Sequence, residues 1–182
     1  MKNWTLKNLP DLSQQVIIVT GANSGIGYES SKAFSQAGAK VIMACRNIEK
    51  GEIAKSKILK KYQNADLEVM QVDMSDLDSI ELFAKKFKAK YQGLNILLNN
   101  AGVMMVPYGL TKDGFETHLG INHLSHFFLT AHLLEVLLQT PQARVVSVAS
   151  IAHRSAVIDM TDMMYKKNTM AYTPMKAYRR SK

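Results

Sequence analysis

The sequence has little cysteine, no long apolar run and fewer acidic than basic side chains. Its single cysteine, Cys45, excludes an internal disulfide, and because it lies in an apolar run we expect a small buried side chain. No apolar run approaches the length of a membrane span, and residues 1–15 lack the apolar core of a signal peptide. We therefore expect a cytoplasmic protein without a membrane span.

The basic excess gives a net charge of +8, and its lysines cluster in 49–63 and 83–92. They alternate with apolar residues at helical spacing, which is typical of the solvated outer face of a helix. Nucleic-acid binding stays open as the less favoured alternative, because a basic stripe is its electrostatic footprint. No zinc-type spacing accompanies the stripe. Although four of the five histidines lie between His118 and His132, no cysteine or carboxylate cluster joins them, so no metal site is expected.

Hydrophobic patterning predicts an α/β protein. Continuously apolar or β-branched runs, typical of strands covered on both faces, occupy 15–20, 40–45, 67–72, 94–99 and 143–150. Amphipathic stretches long enough for helical crossovers separate them, at about 26–37, 48–62, 76–91 and 114–139. The alternation predicts a Rossmann-type, doubly wound parallel sheet of strand order 3-2-1-4-5. We expect one domain over 1–182, with an N-terminal extension at 1–13 and a long irregular loop at 151–172.

A glycine-rich segment, TGANSGIG, follows the first predicted strand and opens the first predicted helix. Glycines here let the backbone turn tightly and approach a pyrophosphate, while the helix N-terminus offers free N–H groups. The spacing is Gly-x3-Gly-x-Gly, and its context of strand and helix predicts a dinucleotide site. The candidate cofactor-binding residues are Thr20, Gly21, Asn23, Ser24, Gly25, Ile26 and Gly27.

The end of the second strand predicts which dinucleotide fits. Arg46 follows this strand, and no Asp or Glu occurs between Glu29 and Glu49. A guanidinium binds a 2′-phosphate, whereas a carboxylate would bind the ribose hydroxyl of NAD, so NADP(H) is favoured over NAD(H). Beyond the third strand, beside Met74, Asp73 could accept a hydrogen bond from the adenine amino group or cap the helix beginning near Ser75.

The final segment, TPMKAYRRSK, places Tyr178 and Lys182 four residues apart, on one face of a helix. Thr173 is a plausible N-cap and Pro174 suits the first turn. The alternative pair, Tyr172 and Lys176, is weaker because a helix starting at Pro174 leaves Tyr172 outside.

Taken together, TGANSGIG, NNAG at 99–102, the asparagine of GINHLSHFFLT, the last serine of RVVSVAS and Tyr-x-x-Ser-Lys resemble the short-chain dehydrogenase/reductase family. Within it, VIMACRN, LTKDGFET and NHLSHFFLT are most similar to the retinol dehydrogenases and the WW-domain-containing oxidoreductase. The resemblance implies hydride transfer between NADP(H) and a carbonyl or alcohol substrate. It assigns catalysis to Asn122, Ser150, Tyr178 and Lys182, and further cofactor contacts to Asp73, Met74, Asn100, Ala101, Gly102, Tyr178 and Lys182.

In these implied roles, Tyr178 exchanges the proton, Lys182 favours the phenolate and holds the nicotinamide ribose, and Ser150 binds the substrate oxygen. Asn122 positions a water of the proton relay, or alternatively only kinks its helix. The family often has a second serine where this chain has Ala149, and Ser147 lies inside the strand as a structural residue. The methionines of 160–170 suit an apolar substrate of small to medium size.

The resemblance also implies elements beyond Lys182: the rest of the catalytic helix, a sixth strand, a Pro-Gly turn, substrate-binding helices and a seventh strand. We therefore expect a C-terminally truncated chain whose fifth strand and last helix lack cover. A genuine short product that binds NADP(H) without catalysis is the alternative. A full-length form is open to homo-oligomerisation.

Overall fold

The computed structural model describes residues 5–182 and contains a five-stranded parallel sheet. Its strand order, β3-β2-β1-β4-β5, is the predicted one. The strands are β1 Val16–Thr20, β2 Lys40–Cys45, β3 Leu67–Gln71, β4 Ile96–Asn99 and β5 Arg144–Ser147. Because strand order reverses between β1 and β4, their carboxyl ends form the crevice in which this architecture binds ligands.

Helices cover both faces of the sheet. They are α1 Gly25–Gln36, α2 Ile48–Lys61, α3 Leu77–Lys90, α4 Ser125–Gln139 and α5 Pro174–Ser181, with a π-helical segment at Leu119–Leu124 leading into α4. Short 3-10 turns lie at Leu6–Asn8, Ile151–Ser155 and Thr169–Ala171, so the predicted irregular loop contains two single turns.

The core is divided by the sheet into two apolar clusters, one on each face. Phe83 and Phe87 of α3 pack with Leu129 and Leu133 of α4 on one face. On the other face, β1 and β2 pack with the inner side of α2, and Cys45 belongs to this cluster. Burial raises the pKa of the Cys45 thiol to about 11, so it stays protonated and behaves as a small apolar side chain.

The long fourth helix begins later than its sequence pattern predicts. Gly114 has a positive φ of 79°, and Leu110 and Glu116 form an isolated antiparallel bridge, so a tight turn replaces the first helical residues. Glu116 then supplies the helix start, since its carboxylate accepts hydrogen bonds from the backbone N–H groups of His118 and Leu119. Local turn geometry therefore overrides the amphipathic pattern before residue 117.

Strand β5 ends at Ser147, three residues before its predicted end. Val148 donates one more backbone hydrogen bond to Asn99, and Ser150 then becomes the N-cap of the 151–155 turn. Val145 and Val146 are each 44% exposed, and Phe127 on α4 is 70% exposed. The edge of the sheet at β5 is therefore an open apolar surface in this chain.

Several lysines of the basic stripe form ion pairs on the surface. Lys90 contacts Glu68 at 2.6 Å and Lys55 contacts Glu52 at 3.6 Å. Within residues 5–182, no helix combines the length and apolar character needed to cross a membrane. Over the same range, no three His, Cys, Asp or Glu side chains gather closely enough to hold a metal ion.

Candidate active site

The glycine segment forms the turn between β1 and α1, and its glycines are required for two physical reasons. Gly21 and Gly25 have positive φ angles of 66° and 54°, in the left-handed region that favours glycine. A Cβ at Gly27 would lie 2.6 Å from the Asn100 side-chain nitrogen and closer still to the Gly21 carbonyl. This close approach needs a residue without a side chain, which fits a backbone cradle for a pyrophosphate.

A cleft of about 400 Å³ lies at the carboxyl ends of β1, β2, β3 and β4. Nine of the predicted cofactor residues line it: Gly21, Asn23, Ser24, Arg46, Asp73, Met74, Asn100, Ala101 and Gly102. The other seven lining residues were not predicted to contact the cofactor: Ala44, Asn47, Lys50, Val72, Ser75, Val103 and Ile121. The cleft is therefore assembled from four strand ends, as a dinucleotide site requires.

Arg46 and Lys50 place two cationic side chains at the β2 end of the cleft. Asn47 lies between them and caps α2 by accepting a hydrogen bond from the Lys50 backbone N–H at 2.8 Å. Lys50 could have been found in the sequence from its distance to Arg46, because it follows Arg46 by about one helical turn. Two cations therefore lie together at the β2 end of the cleft.

Asp73 lines the cleft but does not cap α3, so that alternative is wrong. Its carboxylate accepts hydrogen bonds from the backbone and hydroxyl of Ser75, at 2.9 and 2.7 Å, which closes a local turn. Asp76 is the N-cap of α3 instead, accepting from Asp78 and Ser79. The adenine-binding role of Asp73 stays a prediction.

Thr20 orders the cleft from beneath rather than lining it. Its buried hydroxyl oxygen accepts hydrogen bonds from the backbone N–H groups of Asn100 and Ala101, both at 2.9 Å. The Asn100 side chain donates back to the Thr20 carbonyl at 2.8 Å. These hydrogen bonds hold the NNAG turn against the end of β1. Thr20, which was predicted to contact the cofactor, therefore supports this turn.

Asn122 lies in the π-helical segment, buried beside the cleft. Its side-chain oxygen accepts from the Val103 backbone N–H at 2.8 Å, and its side-chain nitrogen donates to the Val103 carbonyl at 3.0 Å. The same nitrogen donates to the Ser181 hydroxyl on α5 at 2.8 Å. π-Helical turns are frequent at functional sites, and this one joins the cleft wall to α5.

Helix α5 carries Tyr178 and Lys182 and begins where the sequence predicts. Thr173 is its N-cap, accepting from the Lys176 backbone N–H, and Pro174 occupies the first turn. Lys182 donates to the Val148 carbonyl at 3.0 Å, and burial lowers the pKa of its ammonium. A Cβ at Gly102 would lie 2.9 Å from the Asn122 side-chain oxygen and 3.5 Å from the Lys182 ammonium. Asn122 and Lys182 are thus brought together at the end of the cleft.

Helix α5 packs against the 151–155 turn, and Ser150 is the N-cap of that turn. Its hydroxyl oxygen accepts a hydrogen bond from the Ala152 backbone N–H at 3.2 Å. Because Ser150 follows β5 rather than closing it, its position depends on this turn and not on the sheet ladder. Ser147, still in the strand, lies in a separate cavity that also contains Lys182.

The segment between Ser150 and α5 is fastened by Arg180. Its guanidinium donates to the Val157 and Asp162 carbonyls at 3.2 and 2.9 Å. It also lies 4.4 Å from the centre of the Tyr165 ring. A single side chain of α5 therefore contacts the long loop at Val157, Asp162 and Tyr165.

A buried cluster beneath Tyr178 has no counterpart in the sequence prediction. The ring of His118 lies edge-on to Tyr178, with centroids 6.3 Å apart, and its Nδ1 is 3.0 Å from a Glu116 carboxylate oxygen. Burial alone would raise the pKa of the Glu116 carboxyl, but hydrogen bonds from His118 and Leu119 outweigh it and lower the pKa. Glu116 is therefore a charged buried group, and His118 is pinned between it and Tyr178.

The fold and the site define an α/β protein with a glycine turn and a cleft at the carboxyl ends of its strands, with Lys182 at one end of that cleft. The family model described as short chain dehydrogenase matches residues 15–165. Human retinol dehydrogenase 12 is 49% identical over 156 residues, covering 86% of this chain and 49% of the relative. Human WW domain-containing oxidoreductase is 42% identical over 179 residues, covering 94% and 43%.

Among solved structures, an Escherichia coli CFT073 protein complexed with NADPH superposes with a TM-score of 0.73 and 25% identity. The match covers 94% of this chain and 67% of that one. The chain therefore belongs to the short-chain dehydrogenase family, confirming the resemblance of its motifs. It spans about half the length of the curated relatives that it matches.

Proposed function

We propose that this chain carries the NADP(H)-binding and catalytic residues of an oxidoreductase that transfers a hydride between the nicotinamide and a carbonyl or alcohol. The observation that carries the proposal is the meeting at Gly102 of the cleft with Asn122 and Lys182. The missing side chain of Gly27 lets the Gly21 carbonyl and Asn100 approach closely, and a tight glycine turn of this kind suits a dinucleotide. When bound, the cofactor supplies the hydride chemistry, and the protein supplies orientation and proton handling.

The preference for NADP(H) over NAD(H) rests on charge. Arg46 and Lys50 line the β2 end of the cleft, where an NAD-specific site would have a carboxylate. Among the described residues that line the cleft, the acidic side chain is Asp73, which follows β3. A guanidinium and an ammonium would attract a 2′-phosphate, and the structural relative in complex with NADPH supports this preference.

In the proposed reaction, Tyr178 gives a proton to the carbonyl oxygen during reduction or takes the alcohol proton during oxidation. Lys182, half-buried and hydrogen-bonded to the Val148 carbonyl, would hold the nicotinamide ribose hydroxyls. Ser150 would orient the substrate oxygen. The water-positioning role of Asn122 stays a prediction, and its side chain already fixes the cleft wall to α5.

We propose an apolar substrate of small to medium size. The segment between Ser150 and α5 exposes large apolar side chains, at 78% for Val157, 61% for Ile158 and 79% for Met160. An apolar wall beside the catalytic helix would bind the non-reacting part of such a substrate. A cytoplasmic location, a homo-oligomeric full-length form and the absence of nucleic-acid binding stay predictions.

The first test is a fluorescence titration of the full chain with NADPH and with NADH. We expect NADPH to bind at least ~10-fold more tightly, because one added charge-assisted contact contributes about 1.5–3 kcal/mol. The Arg46→Asp variant should reverse the preference. Lys57→Gln, which removes another exposed positive charge from outside this cleft, is the control. An unchanged preference in Arg46→Asp would remove Arg46 from the cofactor site.

The second test separates catalysis from binding. NADPH oxidation is followed with a panel of apolar aldehydes and ketones, for the chain and for Tyr178→Phe. We expect the variant to bind NADPH normally and to lose turnover, because the phenylalanine ring keeps the packing but has no proton to exchange. Equal turnover in both proteins would refute the assignment of Tyr178. Binding without turnover in the unsubstituted chain would instead favour a non-catalytic NADP(H)-binding protein.

A further inference from the structure

His126 connects the candidate cofactor cleft to the candidate catalytic helix. It lies at the start of α4, is 6% exposed, and places its two ring nitrogens against different parts of the site. Nδ1 is 3.1 Å from the Asn122 carbonyl oxygen, and Nε2 is 3.0 Å from the Thr20 hydroxyl oxygen.

The chemistry of these partners fixes the position of the ring proton. A carbonyl oxygen can only accept, so Nδ1 must carry the proton and donate it to Asn122. In a neutral ring Nε2 then has a lone pair and accepts the proton of the Thr20 hydroxyl. Thr20 can donate here because its oxygen already accepts from the backbone N–H groups of Asn100 and Ala101.

Two sets of hydrogen bonds, which meet at Asn122, lead from the cleft to α5: one uses the Asn122 backbone carbonyl and the other its side chain. Thr20 donates to His126, and His126 donates to the Asn122 carbonyl. The Asn122 side chain donates to the Ser181 hydroxyl, which donates to the Tyr178 carbonyl at 2.8 Å. The Thr20 hydroxyl also lies 3.4 Å from the Leu98 carbonyl, and His126 at 3.0 Å is its nearer acceptor. Linked hydrogen bonds polarise one another.

A second proton on His126 would break this chain. Protonated Nε2 would have to donate to Thr20, whose oxygen already accepts two backbone donors. The surroundings oppose that proton: burial lowers the pKa of His126 to about 4, and the charges of Lys182 and His123 act in the same direction. These two are the ionisable side chains that share the cavity of about 300 Å³ against His126, since the facing strand residues Asn99, Val145 and Ser147 are not ionisable there.

We propose that His126, as a neutral ring with its proton on Nδ1, is a positioning residue that couples the cofactor-binding turn at Asn100–Gly102 to Asn122 and the helix of Tyr178. One consequence is that NADP(H) binding and the geometry of the candidate catalytic helix depend on the same histidine, and this consequence rests on the proposed function. The hydrogen-bond directions themselves do not depend on it.

The first experiment is NMR on the full chain labelled with [15N]histidine. We expect the His126 signals of a neutral ring protonated at Nδ1, unchanged from about pH 8 down to about pH 5. A ring protonated at Nε2, or one that is charged at neutral pH, would overturn the proposal. This arm needs no cofactor, so its result stands even if the chain binds neither NADPH nor NADH, an outcome that would refute the proposed function alone.

The second experiment compares Thr20→Val, which keeps the shape but removes the hydroxyl, with Thr20→Ser, which keeps the hydroxyl. We expect Thr20→Val to weaken NADPH binding by ~10-fold or more and Thr20→Ser to remain within ~2-fold, since two buried N–H groups lose their acceptor only in the first. Thr20→Val should also shift the backbone amide signals of Val103 and Ser181. If the amide signals of Val103 and Ser181 did not shift, the hydrogen bonds through His126 would not couple the two regions.

The third experiment separates positioning from simple packing by its pH profile. Between about pH 5 and about pH 4, NADPH affinity of the unsubstituted chain should fall more steeply than that of His126→Gln, which can donate and accept but cannot be protonated. His132→Gln, a half-buried histidine further along α4, is the control and should behave as the unsubstituted chain. Identical profiles for the chain and His126→Gln would overturn the proposal.

Discussion

The buried His126 predicts that folding stability falls on mild acidification. Burial lowers the pKa of this ring from 6.5 to about 4 in the folded protein. As the pH falls below 6.5, the unfolded chain takes up the proton first and is stabilised relative to the folded chain. The stabilisation is therefore fully present above 6.5 and is lost progressively as the pH falls toward 4.

The size of the effect follows from the two pKa values. A difference of 2.5 units between 6.5 and about 4, at about 1.36 kcal/mol a unit, is about 3 kcal/mol over the whole range. Between about pH 7 and about pH 5, the free energy of unfolding should fall by roughly 2 kcal/mol. Carboxyl groups with ordinary or lowered pKa values contribute little to the pH dependence above pH ~5. The change in stability over this interval therefore reports mainly on histidine protonation.

The assay is urea denaturation at several pH values in this interval, comparing the chain with His126→Phe and His132→Phe. His126→Phe should be less stable at neutral pH, because Thr20 and the Asn122 carbonyl lose their partner, but its stability should change little with pH. The matched variant His132→Phe should keep the full decline. A decline in His126→Phe as steep as in the unsubstituted chain would refute the reasoning, since another group would then carry the pH dependence.

Three further outcomes are expected. Gly27→Ala should weaken NADPH binding by ~10-fold or more and cost about 1–3 kcal/mol of stability, because its methyl group would overlap the Asn100 side chain. Unchanged NADPH binding would contradict this, since it would show that the turn can shift to make room for the methyl group. Glu116→Gln should cost about 2 kcal/mol in denaturation at pH ~7, and the difference should vanish as the pH falls through the lowered pKa of this carboxyl; a pH-independent difference would contradict the charged state. Arg180→Gln should speed proteolytic cleavage within 157–163 by ~10-fold, since the loop loses its backbone hydrogen bonds; equal rates would mean that other contacts hold it.

Local patterns in the sequence were sufficient for the sheet and for two parts of the site. Apolar runs of strand length alternating with helical periods predict the parallel sheet and its order, because only a few crossover topologies are allowed. The glycine turn and the Tyr178–Lys182 pair are visible because their geometry depends on spacing within one or two turns of chain. Arg46 follows its strand directly, and for the same reason its place in the cleft could be predicted.

At Asp73 and at Ser150 the structure differs from the sequence prediction because two local conformations compete at each position. Asp73 and Asp76 are both suited to cap a helix, and the local turn with Ser75 leaves the cap to Asp76. Ser150 follows a run of β-branched residues that could extend the strand, but the sheet ladder stops near Val148 and a 3-10 turn begins. Neither competition has a visible signal in hydrophobic periodicity.

By itself, the sequence determined the architecture, the dinucleotide turn and the identity of the residues at the ends of the strands. Only the tertiary structure decided what Thr20 and His126 do, since these residues are 106 positions apart and meet only in the folded chain. The physical reason is that period and spacing are properties of neighbouring residues, whereas the direction of a buried hydrogen bond depends on every partner that surrounds it. Thr20, predicted to touch the cofactor, thus supports the NNAG turn, and His126 is fixed between that turn and Asn122.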